Sequence, residues 1–431
     1  MSKKHFPLTK PQLDELAKRY PTPFYLYDEK AIREHSRAVK EAFSVFSSYK
    51  EHYAVKALPN PFILKILADE GFGADCSSLP ELLLADMAGM KGEDLMFSSN
   101  ETPAREYRLA RDLGAVINLD DFTHIEYLEK TAGIPELISC RYNPGPLKGG
   151  NAIIGKPEEA KYGFTREQIL AAFPLLRDKG AKRFALHTMV ASNELSADYH
   201  IETGRMLFGL TAELMARTGI RLEFVNLGGG AGIPYKPEQE PMDYTYLTRG
   251  LKKAYEELII PAGLDPLGIR TEWARAITGP CGWLVSRAIH KKEIYRSYIG
   301  LDSCMADLMR PALYGAYHHI TIPGKETAPL TKTYDVVGSL CENNDKFAIQ
   351  RQLPKIETGE QGDFVVIHDA GAHGRAMGFN YNGKLRCGEL LLRPDGAVIP
   401  IRRRETMEDL FATLDRAALE EFKNNKEFYI W

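Results

Sequence analysis

The chain has 431 residues, is 44% hydrophobic and carries a formal charge of −3, so it can build either two domains or one large barrel with an addition. The balanced charge, without a long basic run, argues against nucleic-acid binding. A polar N-terminus and the lack of any apolar stretch of spanning length predict neither a signal peptide nor a membrane anchor. Six scattered cysteines and eleven histidines, without C-x-x-C or H-E-x-x-H spacing, predict no disulfide framework and no metal site, and favour the reducing cytoplasm.

From residue 51 onward, short β-rich runs alternate with amphipathic helical stretches. The predicted strands are Glu51–Ala57, Gly73–Ser78, Asp94–Ser99, Ala115–Asp120, Leu137–Asn143, Arg183–Val190, Leu222–Gly228 and Ile269–Ile277. Helical patterns such as Pro61–Glu70, Leu79–Ala88 and Arg166–Lys179 lie between them. Repeated strand–helix alternation indicates parallel strands with right-handed crossovers. Eight such units predict an α/β protein built on a (β/α)8 TIM barrel.

After residue 280 the helices disappear and short strand-like runs follow one another between Gly and Pro turns. These runs are Trp283–Tyr298, Tyr334–Val337, Asp363–Ile367, Glu389–Leu392 and Ala397–Ile401. They predict a mainly antiparallel β domain. The β-like segment at residues 24–27 precedes the barrel and is expected to join that domain. The predicted division is therefore a barrel at 30–280 and a β domain formed by 1–29 with 281–431.

Lys56 closes the apolar run at residues 53–55, at the end of the first barrel strand. A lysine buried at a strand end loses the hydration of its ammonium. Such a lysine is tolerated when its amine forms a covalent bond with a carbonyl cofactor. The alternative is that Lys56 reaches solvent, and the residue alone does not decide between the two.

Active sites of such barrels lie at the C-terminal ends of the strands. The residues predicted there are Lys56, Asp75, Ser77, Ser98, Asn118, Asn143, His187, Ser192, Gly228, Gly229, Gly230 and Glu272. A glycine turn after a late strand is either a bare tight turn or a phosphate cradle. Glu272 and Arg275 are either a structural ion pair or cofactor ligands. Together, a lysine for the covalent bond, amides and an arginine for a phosphate and a carboxylate for a ring nitrogen meet the requirements of pyridoxal 5′-phosphate.

Several motifs in order resemble the fold-type III, alanine-racemase-like decarboxylases that use pyridoxal phosphate, and among them the diaminopimelate decarboxylases. Tyr-Ala-Val-Lys-Ala at 53–57 resembles the family's cofactor-lysine motif, and the glycines at 228–230 resemble its phosphate-binding turn. Glu-Trp-Ala-Arg at 272–275 falls where the family has Glu-Pro-Gly-Arg. The resemblance covers nearly the whole chain. It implies that Glu272 faces the pyridine nitrogen, with Arg275 serving both cofactor and substrate.

The same resemblance implies the substrate-binding residues and a homodimer. Arg310 and Tyr314, in the segment at 308–314, are similar to the pair that holds a substrate carboxylate. Cys341 and Glu342, in the segment at 340–345, resemble an element that enters the active site from the partner subunit. Cys341 or Lys56 would return a proton to carbon, although a lone cysteine is more often a small buried residue.

The sequence departs from the family pattern at four places around the substrate, which together comprise five residues. Met189 takes the place of a histidine that stacks on the cofactor, and a thioether packs on a ring but donates no proton. His187 either moves into that role or is a core histidine, whereas Ser192 keeps the phosphate-facing hydroxyl. His373 replaces a tyrosine and remains a hydrogen-bond donor. Trp273-Ala274 replaces Pro-Gly, and Ala306 replaces an asparagine.

The implied activity is decarboxylation of meso-2,6-diaminopimelate to L-lysine and CO2 in lysine biosynthesis. At the end of the substrate distant from the reacting carbon, Glu342 could bind an ammonium, and Arg310 with Tyr314 could bind a carboxylate. Together they indicate a substrate whose distant end is zwitterionic. If Arg310 only braces the β domain, the substrate is instead a diamino acid such as D-lysine, D-ornithine or ornithine, or a carboxylated polyamine such as carboxynorspermidine. A catalytically dead binding homologue is a further alternative, which the retained Lys56, Glu272 and Cys341 argue against.

Overall fold

A computed structural model describes residues 4–150 and 155–424. In chain order, its strands are β1 (Phe24–Asp28), β2 (Tyr49–Ala54), β3 (Gly73–Cys76), β4 (Leu95–Ser98), β5 (Val116–Leu119), β6 (Leu137–Tyr142), β7 (Arg183–Thr188), β8 (Phe224–Asn226), β9 (Gly268–Thr271), β10 (Gly282–Glu293), β11 (Ser297–Leu301), β12 (Ile320–Thr321), β13 (Lys332–Val337), β14 (Lys346–Leu353), β15 (Phe364–Ile367), β16 (Gly388–Leu392) and β17 (Val398–Arg402).

The α-helices alternate with the strands up to β9 and become sparse afterwards. They are α1 (Lys10–Arg19), α2 (Glu29–Ala42), α3 (Pro61–Asp69), α4 (Leu79–Met87), α5 (Ala104–Asp112), α6 (His124–Ala132), α7 (Arg166–Asp178), α8 (Ala197–Thr218), α9 (Tyr244–Leu258), α10 (Ala274–Thr278), α11 (Arg310–Tyr314), α12 (Met407–Phe411) and α13 (Arg416–Asn424). None of these helices is both long and apolar enough to cross a membrane.

Strands β2 to β9 form a closed parallel barrel in sequential order, which confirms the predicted (β/α)8 architecture. The barrel closes where β2 pairs in parallel with β9, with Glu51 opposite Thr271. Local chemistry starts the helices where the pattern predicted. At α3, for example, Pro61 occupies the first turn and the Asn60 side chain accepts a hydrogen bond from the Phe62 N–H at 3.1 Å.

Two details of the predicted barrel strands are wrong. The eighth predicted strand ends at Thr271, and its second half is helix α10, which places Arg275 on a helix. The first ends at Ala54, so Lys56 lies in a short 3₁₀ turn at Val55–Ala57 and is exposed rather than buried. Lys56 and Arg275 therefore lie just beyond the ends of their strands, in a turn and in a helix at the mouth of the barrel.

The remaining strands form a nine-stranded mixed sheet in which six neighbouring pairs are antiparallel and two are parallel. This confirms the mainly antiparallel character. The predicted strand Trp283–Tyr298 is in fact a hairpin of β10 and β11, and strand β14 was missed. Strand β1 pairs with β10 and β16 and so lies within this sheet. The division at residues 29–30 and 280–281 remains a prediction.

Candidate active site

The mouth of the barrel opens into a cavity of about 580 Å³, within the size range of small-molecule sites. Most of the predicted site residues line it. They are Lys56, Asp75, Ser77, Ser98, His187, Met189, Ser192, Gly229, Gly230, Glu272, Arg275, Arg310, Tyr314 and His373. Strand ends of the barrel supply one side of this cavity, while α11 and the loop after β15 supply the other.

Glu272 lies directly after β9 and is held on two sides. The Asn226 amide donates to its Oε1 at 2.8 Å, and Nε2 of His187 lies 3.2 Å from the same oxygen. Burial alone would raise the pKa of Glu272, but the charge and hydrogen bond of His187 outweigh it, helped by Lys56 and Arg141. The net result is a lowered pKa, so Glu272 is an ionised carboxylate aimed at the cavity.

Asn226 also ties that carboxylate to the glycine turn, because its Oδ1 accepts a hydrogen bond from the Gly228 N–H at 2.9 Å. Gly228 and Gly230 adopt positive φ angles of 71° and 102°, and a Cβ on either would fall within 2.7 Å of a backbone oxygen. Only glycine fits this turn without strain. Gly228 itself shapes the turn without lining the cavity, whereas Gly229 and Gly230 face it.

Arg275 and Arg310 face the cavity without a carboxylate partner in the described parts of the chain. Arg275 donates to the Tyr235 hydroxyl at 2.6 Å and to Ser192 Oγ at 3.5 Å. Arg310 is only 2% exposed, its Nε has no hydrogen-bond partner, and it forms no ion pair with any other residue that the structure describes. Its guanidinium lies 5.3 Å from the ring centre of Tyr235 and 5.9 Å from that of Tyr314. A buried cation in this state is suited to an anionic ligand.

Burial shifts the pKa values of both Asp75 and His373 in the direction that favours their neutral forms. Burial, followed by the charge of Glu272, raises the pKa of Asp75 well above its ordinary value. Burial, followed by the charges of Arg275, Lys56 and Arg310, lowers the pKa of His373 well below its ordinary value. The backbone N–H of His373 donates to the Ala57 oxygen at 2.8 Å, which holds the loop after β15 against the turn that carries Lys56.

Several predicted residues lie elsewhere. Cys341 and Glu342 are exposed and line no part of this cavity within one chain. Asn118 is buried inside the barrel between Ser98 and Ser139, and Asn143 bonds to backbone oxygens of its own loop. The side chains of these two asparagines are thus bonded within the fold and do not line the cavity.

Arg141 is a cavity residue that the sequence reasoning missed. It projects from β6, lies 3.4 Å from Asp120 and stacks 3.7 Å from the Tyr162 ring centre. Asn100, Glu81 and Tyr162 also line the wall without having been predicted. The sequence does contain a signal for Arg141, because it is a charged residue within the apolar strand at 137–142. A charged side chain buried there needs a partner.

The cavity fits pyridoxal phosphate. It offers the Lys56 amine in the cavity wall, a Cβ-free turn for a phosphate and an ionised carboxylate for a ring nitrogen. Residues 29–279 match the family model "Pyridoxal-dependent decarboxylase, pyridoxal binding domain". The chain belongs to this family of fold-type III decarboxylases, and pyridoxal phosphate is its cofactor.

Related proteins cover almost the whole chain. Protein TabA of Pseudomonas amygdali pv. tabaci is 43% identical over 93% of this chain and 92% of its own. Diaminopimelate decarboxylase of Methanothermobacter thermautotrophicus is 33% identical, covering 92% of each. The crystal structure of diaminopimelate decarboxylase from Helicobacter pylori complexed with L-lysine superposes with a TM-score of 0.83 at 30% identity, covering 95% of this chain and all of that one.

Proposed function

We propose that this decarboxylase converts meso-2,6-diaminopimelate to L-lysine and CO2, as a step of lysine biosynthesis. The observation that carries the proposal is Arg310, a buried guanidinium in the cavity wall without a carboxylate partner among the described residues. A substrate with a carboxylate at its far end would supply that partner. The names of the relatives at about 30% identity support the same substrate.

A second candidate function is decarboxylation of another diamino acid, such as D-lysine, D-ornithine or ornithine, or of a carboxylated polyamine such as carboxynorspermidine. Two features favour this alternative. Met189 and His373 line the cavity where the diaminopimelate decarboxylases are expected to carry a histidine and a tyrosine, and the relative at 43% identity carries a different name. A non-catalytic binding role is disfavoured by the retained Lys56 and Glu272.

The residues divide the work of binding between the cofactor and the substrate. Lys56 would hold pyridoxal phosphate covalently, with Gly229, Gly230 and Ser192 on its phosphate. Arg275, which lies beside Ser192, would bind the same phosphate and contact the substrate. Met189, Asp75, His187 and His373 would help to hold the ring. Arg310 and Tyr314 would bind the far carboxylate of the substrate.

When bound, pyridoxal phosphate supplies an electron-poor ring that accepts the electron pair released as CO2 leaves. Glu272, as a carboxylate, would keep a proton on the ring nitrogen. As a neutral imidazole, His373 would donate a hydrogen bond without adding charge and so orient the phosphate or the substrate. Lys56 or Cys341 would return a proton to carbon after CO2 has left.

We also propose that two copies of the chain share each active site. Cys341 and Glu342 are exposed and lie outside the cavity of their own chain, as expected of residues that serve a partner. Glu342 from the partner would then bind the far ammonium of the substrate. A cytoplasmic location is proposed as well, and six free cysteines, five of them buried, support a reducing compartment.

The decisive experiment measures CO2 release from meso-diaminopimelate, D-lysine, D-ornithine and L-ornithine by the wild type and by Arg310→Gln. We expect the wild type to prefer meso-diaminopimelate, and Arg310→Gln to lower that preference about a hundredfold, equivalent to ~2.7 kcal/mol. Turnover of D-lysine should change little, because it lacks the far carboxylate.

Arg205→Gln is the matched control, since Arg205 forms an exposed pair with Glu257 at 2.6 Å on the outer helices. Preferential turnover of a simple diamino acid by the wild type would overturn the substrate assignment. An unchanged preference in Arg310→Gln would show that Arg310 only braces its surroundings.

A further inference from the structure

The N-terminal segment places one lysine in a buried ion pair. The Lys4 ammonium lies 2.7 Å from Oδ2 and 2.9 Å from Oδ1 of Asp369, with side-chain exposures of 8% and 3%. It also donates to the backbone oxygen of Pro234. Two residues later, the Phe6 ring packs edge-on against Trp283 with centroids 5.6 Å apart, which fixes the segment on the sheet. An ion pair this deeply buried is costly to form unless its geometry is well satisfied.

Asp369 begins the loop that brings His373 to the cavity. It follows the end of β15 and adopts a positive φ of 57°, and His373, four residues later, has a φ of 54°. Between them the backbone is held by hydrogen bonds from the Ala370 N–H to the Gly282 oxygen at 2.8 Å and from the Gly371 N–H to the Gly279 oxygen at 3.1 Å. The Asp369 carboxylate is thus the point at which Lys4 holds this loop.

Pro234 belongs to the opposite wall, in the loop after the glycine turn. The next residue, Tyr235, accepts the 2.6 Å hydrogen bond from Arg275, and its ring lies 5.3 Å from the Arg310 guanidinium. Tyr235 also packs edge-on against His318, with centroids 5.1 Å apart. Its position therefore sets the position of two cavity cations.

We propose that Lys4 is a positioning residue for the cofactor site, holding the loop of His373 and the loop of Tyr235 together across the barrel mouth. The ammonium has three donor hydrogens and a compact charge, so it can bond to a carboxylate on one loop and a carbonyl on the other. Without it, each loop keeps its own backbone contacts and an indirect contact through His318, which packs on Tyr235 and hydrogen-bonds to the His368 oxygen at 2.8 Å, but loses the direct link between the walls. The cofactor would then bind to walls that are less firmly fixed relative to one another.

The test is the affinity of the full-length Lys4→Met apoenzyme for pyridoxal phosphate, measured by fluorescence titration. We expect the Kd to rise about tenfold, equivalent to ~1.4 kcal/mol. The Tm difference between holoenzyme and apoenzyme should shrink accordingly, because ligand stabilisation depends on the Kd. Lys10→Met is the matched control, since Lys10 forms an exposed pair with Asp14 at 2.8 Å and should leave both values unchanged.

A double variant separates the link from the effect of an unpaired buried charge. Lys4→Met leaves the Asp369 carboxyl without its cation, whereas Lys4→Met with Asp369→Asn removes that charge, and Asn tolerates the positive φ. We expect the double variant to regain apoenzyme stability but to keep the weak cofactor binding. Wild-type affinity in Lys4→Met, equal losses of Tm in apoenzyme and holoenzyme, or restored affinity in the double variant would each overturn the proposal. All readouts concern cofactor binding, so they are independent of the substrate proposed above.

Discussion

Glu272 and Arg310, on the two sides of the cavity, are buried charges that the fold treats in opposite ways. On the strand-end side, Glu272 is matched within the chain by His187 and Asn226. On the sheet side, Arg310 is equally buried but has no carboxylate partner among the described residues. The first arrangement is complete within the described residues, and under the proposed function the second is completed by the substrate carboxylate.

This difference separates preorganisation from recognition. A carboxylate that is already fixed and ionised costs no reorganisation when the reaction begins, so it contributes to the rate of the chemical step. A cation that gains its partner on binding contributes to affinity and to selection among substrates. Mutations on the two sides should therefore change different kinetic constants.

The largest expected effect is on the matched side, at Glu272. Glu272→Gln keeps the shape and one hydrogen-bond acceptor but removes the charge, so we expect kcat to fall about a thousandfold, ~4 kcal/mol, with little change in KM. Steady-state CO2 release measures this, with the exposed Glu257→Gln as control. A loss confined to KM would contradict the assignment of Glu272 to the chemical step.

The second-largest expected effect is on the free energy of unfolding. It concerns Glu51, which lies in the barrel below the strand-end side of the cavity. Buried Glu51 accepts hydrogen bonds from the Trp273 N–H and the Thr271 hydroxyl across the seam that closes the barrel. Burial raises its pKa from 4.5 to about 7. The folded chain thus retains a proton that the unfolded chain releases, so stability is complete below about pH 4.5 and declines up to about pH 7.

Glu51→Gln removes this titration and keeps an acceptor for the Trp273 N–H. We expect the variant to be more stable than the wild type by up to ~3 kcal/mol at pH 8, with the difference vanishing near pH 4. Urea unfolding across this pH range measures it, with the exposed Glu256→Gln as control. A pH-independent difference would mean that Glu51 does not titrate in this range.

The smallest effect belongs to the unmatched side, at Tyr314. Tyr314→Phe keeps the ring beside Arg310 and removes one hydroxyl, so we expect KM for meso-diaminopimelate to rise about fivefold, ~1 kcal/mol, with kcat unchanged. The exposed Tyr295→Phe serves as control. A fall in kcat instead would erase the distinction between the two sides.

Much of the site was predictable because barrel topology converts chain order into position. Once eight strands were recognised, Lys56, His187, Gly229 and Glu272 had to meet at one end of the barrel. The errors arose where the chain leaves a strand. Ile269–Ile277 has continuous β-rich character, yet its second half is helix, because the pattern of a short apolar run does not distinguish the two.

What the sequence determined by itself is the barrel, its cofactor and the order of the groups around it, since these follow from local periodicity and short motifs. What only the tertiary structure decided is which charges are matched. Glu272 pairs with His187 and Lys4 with Asp369, in each case across 85 or more positions of the chain. Arg310, by contrast, has no carboxylate partner among the described residues. Burial and the distance to other charges determine the free energy of a charged side chain, and the local sequence pattern determines neither of them.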